Sequence, residues 1–207
     1  MSLSEKENPR SPEHLEAQRN RILDASEECF IKYGFHAASM ARIAETAGIS
    51  QGLAYRYFKN KSAIILAIIE RQLAQRNLLS DGTESVDDFA DKIVELVREW
   101  SAREDGKISP VLFLEMCSEA SRDKEIEAAL AKADQTYKED FSAWIRGLAE
   151  REGKEMSDSE IDRRFTALQG LVEGSALLAA RRGAGRESEV LRNEMLIAFV
   201  KQTLSVD

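Results

Sequence analysis

The stretch Ala44–Lys61, AETAGISQGLAYRYFKNK, decides how this chain is read. Ile43, Ala44 and Ala47 place small and apolar groups on one helical face. Gly48 follows, a residue that takes positive φ without a Cβ clash, so a helix can stop there. Ser50 offers a hydroxyl to cap the next helix. In that helix Ala54 and Phe58 are four apart and can pack inward. Gln51, Gly52, Leu53, Tyr55, Arg56 and Tyr57 are then turned wholly or partly outward. A short helix with amide, phenol and guanidinium groups on its free face, joined to another by a glycine turn, has the form of a helix-turn-helix recognition unit.

Outward from that unit the chain reads as all-α, with about nine helices. Residues 1 to about 12 carry charge, serine and two of the three prolines, a disordered lead. Arg10 could act as a minor-groove arm or as part of a solvated tail. Helix one is expected from Pro12 to Tyr33, with Ile22, Ala25, Ser26, Cys29, Phe30 and Tyr33 as one buried face and Gly34 as its stop. Ser39 is placed to cap helix two. The recognition helix spans Gln51–Tyr57, and helix four runs from about Asn60 to about Leu79. Asp81-Gly82 is a turn signal. Helix five follows on Val86, Phe89, Ala90, Ile93, Val97 and Trp100. Ser109-Pro110 opens a sixth, apolar on most sides and expected to be central. A long seventh uses Ile126, Leu130, Ala133, Tyr137, Phe141, Trp144 and Leu148. Ser157 with Glu160 forms a capping-box pattern for an eighth, ended by Gly183 and Gly185. A ninth closes the chain. This gives a division into residues 13–60 and 61–207.

The 207 residues allow a real core, and a mean hydropathy of −0.39 fits a soluble globular chain. No apolar run reaches the ~18–20 residues of a bilayer span, and the polar N-terminus lacks a signal-like segment. The expectation is a cytoplasmic protein with no membrane partner. Cys29 and Cys117, both in apolar helical context, read as reduced core residues. The net charge is −8, but it is uneven. Up to Lys61 there are nine Lys and Arg against eight Asp and Glu; the remainder holds 20 against 29. An acidic body is compatible with nucleic-acid binding through one small face.

Ser39-x3-Ile43-Ala44-x2-Ala47-Gly48-Ile49-Ser50-x-Gly52-x2-Tyr55-x-Tyr57-Phe58-x2-Lys61 closely resembles the signature of the TetR (tetracycline-repressor-like) family. The resemblance covers Arg19–Ile69 in detail and is general beyond that. It implies base or phosphate contacts at Gln51, Leu53, Tyr55 and Tyr57, and a backbone grip at Lys61. Chemistry supports those roles. Gln can bond an adenine edge and Leu can pack on a thymine methyl. Tyr and Lys reach phosphate oxygens and fix register. Ser39 and Met40, at the start of helix two, can offer backbone N–H groups to phosphate. Arg42 reads as a phosphate contact or a solvated surface residue. With Gly52 and Arg56 on the same free face, this is the candidate DNA-binding set. Ala41 stands where some relatives have a longer base-reading side chain, which shifts base reading to helix three. For Tyr55 and Tyr57 partial packing on helix one is the competing reading.

The resemblance further implies a homodimer, a double-stranded DNA operator and a small-molecule effector. Helices eight and nine would form the dimer interface, with Leu168, Leu171, Val172, Ser175, Leu178 and Ala179 as contacts. A pocket between helices five to eight would be walled by Phe89, Trp100, Phe113, Met116, Tyr137, Phe141, Trp144 and Phe165, with Gln169 or Glu173 as polar anchors. Ordinary core packing competes for every one of these residues. No cofactor is called for. His14 and His36 lie apart from any Cys or carboxylate cluster, so no metal site is suggested. Neither a phosphate loop nor a nucleophile elbow is present. An all-α enzyme would need convergent acid, base or nucleophile groups, and none stands out. A helical protein-binding adaptor would show no salt-dependent duplex affinity. The implied function is a ligand-responsive, sequence-specific repressor of transcription released from a palindromic operator.

Overall fold

The computed structural model describes residues 11–74, 82–102, 109–182 and 189–205. Among them the ordered elements are helices and no strand occurs: α1 (Pro12–Ala37), α2 (Met40–Thr46), α3 (Gln51–Tyr57), α4 (Lys61–Ala74), α5 (Val86–Ala102), α6 (Pro110–Ala120), α7 (Lys124–Arg151), α8 (Asp158–Arg182) and α9 (Glu189–Leu204). The chain divides into two compact units, Met1–Glu70 and Arg71–Asp207, and the division falls inside α4. Arg10, Leu79, Asp81, Gly183 and Gly185, which figured in the expected lead, helix ends and turn, lie outside the described residues.

In the first unit, polar side chains cap the helix starts, and glycines interrupt α1 and follow α2. Ser11 accepts from the His14 N–H at 3.1 Å, and Pro12 occupies the first helical position. Gly34, at φ +76°, interrupts α1 where expected, although one more turn follows to Ala37. The core gathers Ile22, Leu23, Cys29, Phe30, Ile43, Ala54, Ile64 and Ile68, each 1% exposed or less. Burying each isoleucine, leucine or phenylalanine of this set contributes about 1.5–3 kcal/mol. Ser26 is buried among them because its hydroxyl donates to the Ile22 carbonyl at 2.6 Å. Tyr33, expected in that buried face, is instead 40% exposed. It is the last residue before the Gly34 break, and its ring lies under Arg42.

In the second unit α5 packs on α8 and α9, and α6 on α7 and α8. One cluster joins Phe89, Ile93, Phe141, Ile145, Leu148, Ile161, Leu168, Val200 and Leu204; a second joins Val97, Trp100, Ala176, Ala179 and Leu196. Ser85 and Asp88 form a reciprocal cap at the start of α5: the Asp88 N–H donates to Ser85 Oγ at 3.1 Å, and the Ser85 N–H to Asp88 at 2.9 Å. The Ser85 hydroxyl and the Glu84 and Ser85 N–H groups hold the Asp88 carboxyl below its usual range. Trp144 Nε1 donates to the Thr83 carbonyl at 3.0 Å, tying this segment to α7. The expected cap of α8 is present, with the Glu160 N–H donating to Ser157 Oγ at 3.3 Å. Two expectations fail on α6. The helix buries one face only, through Leu112, Met116 and Glu119, and Cys117 is exposed rather than in the core.

Candidate nucleic-acid interface and a cavity in the second unit

The turn between α2 and α3 closes as its sequence requires. The Gly48 N–H donates to the Glu45 carbonyl at 3.0 Å and the Ile49 N–H to that of Ala44 at 2.9 Å, with Gly48 at φ +64°. An L side chain is disfavoured in that region, and a Cβ here would also lie 2.7 Å from the Arg21 guanidinium. Ser50 accepts from the Leu53 N–H at 3.2 Å and opens α3. Ala54 and Phe58, fully or nearly buried, seat α3 on its unit, and Arg19 lies 5.7 Å over the Phe58 ring.

That seating leaves Gln51, Gly52, Tyr55 and Arg56 exposed, Tyr55 at 49%, whereas Leu53 and Tyr57 are half-buried. The competing reading therefore holds for part of Tyr57. With Leu53 and Arg56 it lines a hollow shared with His14, Gln18 and Arg21 of α1. A Cβ on Gly52 would meet nothing within 4 Å, so another molecule can approach the backbone there. Ser39 caps α2 by accepting from the Arg42 N–H at 3.2 Å. Met40 is buried at 7% exposure, so its side chain is withdrawn from the surface. The Arg42 guanidinium lies 4.3 Å over the Tyr33 ring, with Lys32 5.2 Å from the same ring.

Lys61 has partners within its own unit. It opens α4, but its ammonium donates to the carbonyls of Phe35 at 2.5 Å and His36 at 3.2 Å, and lies 4.5 Å over the Phe35 ring. It thus satisfies carbonyls at the end of α1, where partial negative charge favours a cation. A grip on phosphate requires it to share those carbonyls. The partners are 25 and 26 residues upstream, so no local pattern announces them.

The second unit holds a cavity of about 430 Å³ lined by residues of α4, α5, α6, α7 and α8. Nine of the ten sequence-derived wall residues line it; Met116 is the exception, buried one turn past Phe113 and outside the wall. Phe89 stacks on Trp144 with ring centroids 4.7 Å apart, and Phe141 contacts Phe89, Trp144 and Phe165. The two polar anchors bond each other, Gln169 Nε2 donating to Glu173 at 2.8 Å. Trp100 Nε1, and Gln72 Nε2 from a further wall position, are buried donors without an acceptor among the described residues.

The expected dimer set needs correcting. Leu168 and Ala179 are buried in the unit's own core, and Leu168 and Val172 line the cavity. The reason is helical phase: 168, 172, 176 and 179 share the inward stripe of α8. Leu171 also packs on the core, and Ser175 is half-buried. Leu178 remains exposed, and sequence reasoning missed its exposed companions Leu177 on α8 and Met195 and Phe199 on α9.

A glycine-turned helix pair with a largely exposed third helix defines a helix-turn-helix protein, here with a helical unit that encloses an apolar cavity. Residues 22–68 match the family model for bacterial regulatory proteins of the tetR family. The HTH-type transcriptional regulator UidR of Escherichia coli K12 is 34% identical over 137 residues, 64% of this chain and 67% of UidR. Two solved structures share the fold. Salmonella enterica GusR has a TM-score of 0.68 and 24% identity, covering 94% of this chain and 100% of its own. MexZ, a repressor from Pseudomonas aeruginosa, has a TM-score of 0.64 and 22% identity, covering 93% of this chain and 96% of its own. The chain belongs to the TetR family and is a helix-turn-helix transcriptional regulator. Among the described residues no helix is long and apolar enough to cross a membrane.

Proposed function

We propose that this regulator is a homodimeric repressor that leaves a palindromic operator when a small molecule enters the second unit. Residues 13–60 would read DNA, and 61–207 would bind effector and dimerise. The observation that carries the reading is the exposed face of α3, with Gln51, Tyr55 and Arg56 displayed on a helix seated by Ala54. Gln51 takes an adenine edge and Leu53 a thymine methyl. Ser39, Arg42, Tyr55, Tyr57 and Lys61, with the Met40 N–H, hold phosphates, and Gly52 lets the backbone come close. One seven-residue helix spans too few base pairs for specificity. Two copies on half-sites about 34–36 Å apart, or a multiple, supply the rest.

Exposed Leu177 and Leu178 on α8 and Met195 and Phe199 on α9 support pairing through these two helices, since large apolar side chains left at a surface gain from burial against a partner. The cavity supports an effector: about 430 Å³ with an aromatic wall is within the range of small-molecule sites. Effector release requires different affinity for the DNA-fitting and non-fitting states of the dimer. The test is anisotropy titration of the full-length protein on a labelled palindrome from its own promoter region. Salt-dependent binding with two half-sites protected is expected. Equal affinity for all duplexes would refute sequence-specific reading, and binding unaffected by any compound that occupies the cavity would refute the effector role.

A further inference from the structure

We infer that the ligand of the second-unit cavity is a hydrophobic organic cation, an aromatic or aliphatic body carrying an ammonium or amidinium group. This rests on the ligand-responsive reading above and adds the chemical class. The wall has an apolar interior and an acidic edge. Seven aromatic rings line it. Around them stand Glu95, Glu99, Asp134, Asp140 and Glu173, while Lys92 is the one basic residue among the described residues of the wall. Arg98, which is outside the wall, pairs with Glu95 at 3.1 Å. Among the described wall residues themselves carboxylates outnumber cations five to one, and four of the five, Glu95, Asp134, Asp140 and Glu173, are exposed.

Both halves of the arrangement select the same charge. Aromatic faces present the negative side of their quadrupole to a desolvated cation. Carboxylates of one sign at a concave, low-dielectric surface concentrate cations and repel anions. A carboxylate or phosphate ligand would meet Lys92 alone against that field. The negative potential is also felt by a neighbour: Cys117 is an exposed residue, but its thiol is partly desolvated by the atoms around it, and this, with Glu173 and Asp134 adding to the rise, pushes it up to about 11. The buried donors of Trp100 and Gln72 point to a ligand in a second way, since an ether or carbonyl oxygen on the ligand body would satisfy them.

The experiment uses the full-length protein and three probes with one body: a phenylbutyl chain carrying trimethylammonium, hydroxyl or sulfonate. Both tryptophans of the chain line the cavity, so their fluorescence reports occupancy, with calorimetry as a second readout. The ammonium probe should bind at least tenfold more tightly than the alcohol, with the sulfonate weakest. Glu173→Gln combined with Asp134→Asn should weaken the ammonium probe by about threefold to tenfold per carboxylate removed, leaving the alcohol unchanged. Tighter binding of the alcohol or sulfonate overturns the cation class and leaves ligand responsiveness standing. Equal loss for ammonium and alcohol overturns the electrostatic role of the two acids. Binding of none of the three overturns the class and removes the cavity's support for an effector.

Discussion

Replacing Lys61 by methionine keeps the aliphatic stem on Phe35 and removes only the ammonium. In the structure that group donates to two carbonyls at the end of α1 and sits over an aromatic ring. A hydrogen bond from a charged donor contributes about 1.5–3 kcal/mol, a cation at a helix C-terminus about 0.3–1, and a partly exposed cation–π contact about 0.5–1. The residue is half-buried, and the terms describe one ammonium, so they do not add in full. A loss of about 1.5–3 kcal/mol follows. With a urea m-value of about 2 kcal/mol/M, the midpoint should fall by about 1 M. Operator affinity measured at several salt concentrations then separates two roles. If Lys61 also holds a phosphate, the log–log salt slope shrinks by about 0.9. If it only positions the end of α1, affinity drops while the slope stays the same. A midpoint unchanged within about 0.2 M would refute the anchoring of α1 by this side chain.

Gln51→Ala should relax preference at one or two base pairs by about 1–3 kcal/mol, read by competition with operator variants; unchanged selectivity would remove Gln51 from base reading. Gly48→Ala should destabilise the protein by about 1–2 kcal/mol from the left-handed backbone alone, checked by the same urea midpoint. Leu178→Asp with Met195→Asp should shift sedimentation toward monomer, and an unchanged dimer would move the interface elsewhere. Cys117 should alkylate slowly: a thiol near 11 is only about 0.1% thiolate at pH 8, so even with its higher nucleophilicity its rate should be about tenfold or more below that of a free cysteine. The sign for stability follows from the raised value. The folded protein keeps this proton after the unfolded chain has lost it, so the contribution is full below the ordinary thiol range and declines as pH rises toward about 11.

The first unit was legible because its signals are local. Gly48 and Ser50 lie within three positions of the elements they end and begin, and α3 has the expected limits, Gln51–Tyr57. The second unit was legible in its helices but less so in its surfaces. Aromatic residues at helical spacing look alike whether they fill a core or line a cavity, so Phe113 could be told from Met116 only in three dimensions. Helix α8 carries apolar residues on both of its faces, and sequence alone assigned Leu168 and Ala179 to the wrong one. Lys61 was found from the resemblance, but its carbonyl partners depend on a fold-level meeting of α1 and α4.

The division between the two units falls within a helix rather than in a loop. Helix α4 has 14 residues, hence a length of about 21 Å. A rod of that length converts a tilt of about 10° into about 4 Å at its far end. Major-groove hydrogen bonds fail over much smaller misplacements, because donor–acceptor separations span only about 0.5 Å. If the proposed effector release runs through this helix, a tilt of that size is enough to break the hydrogen bonds proposed for α3.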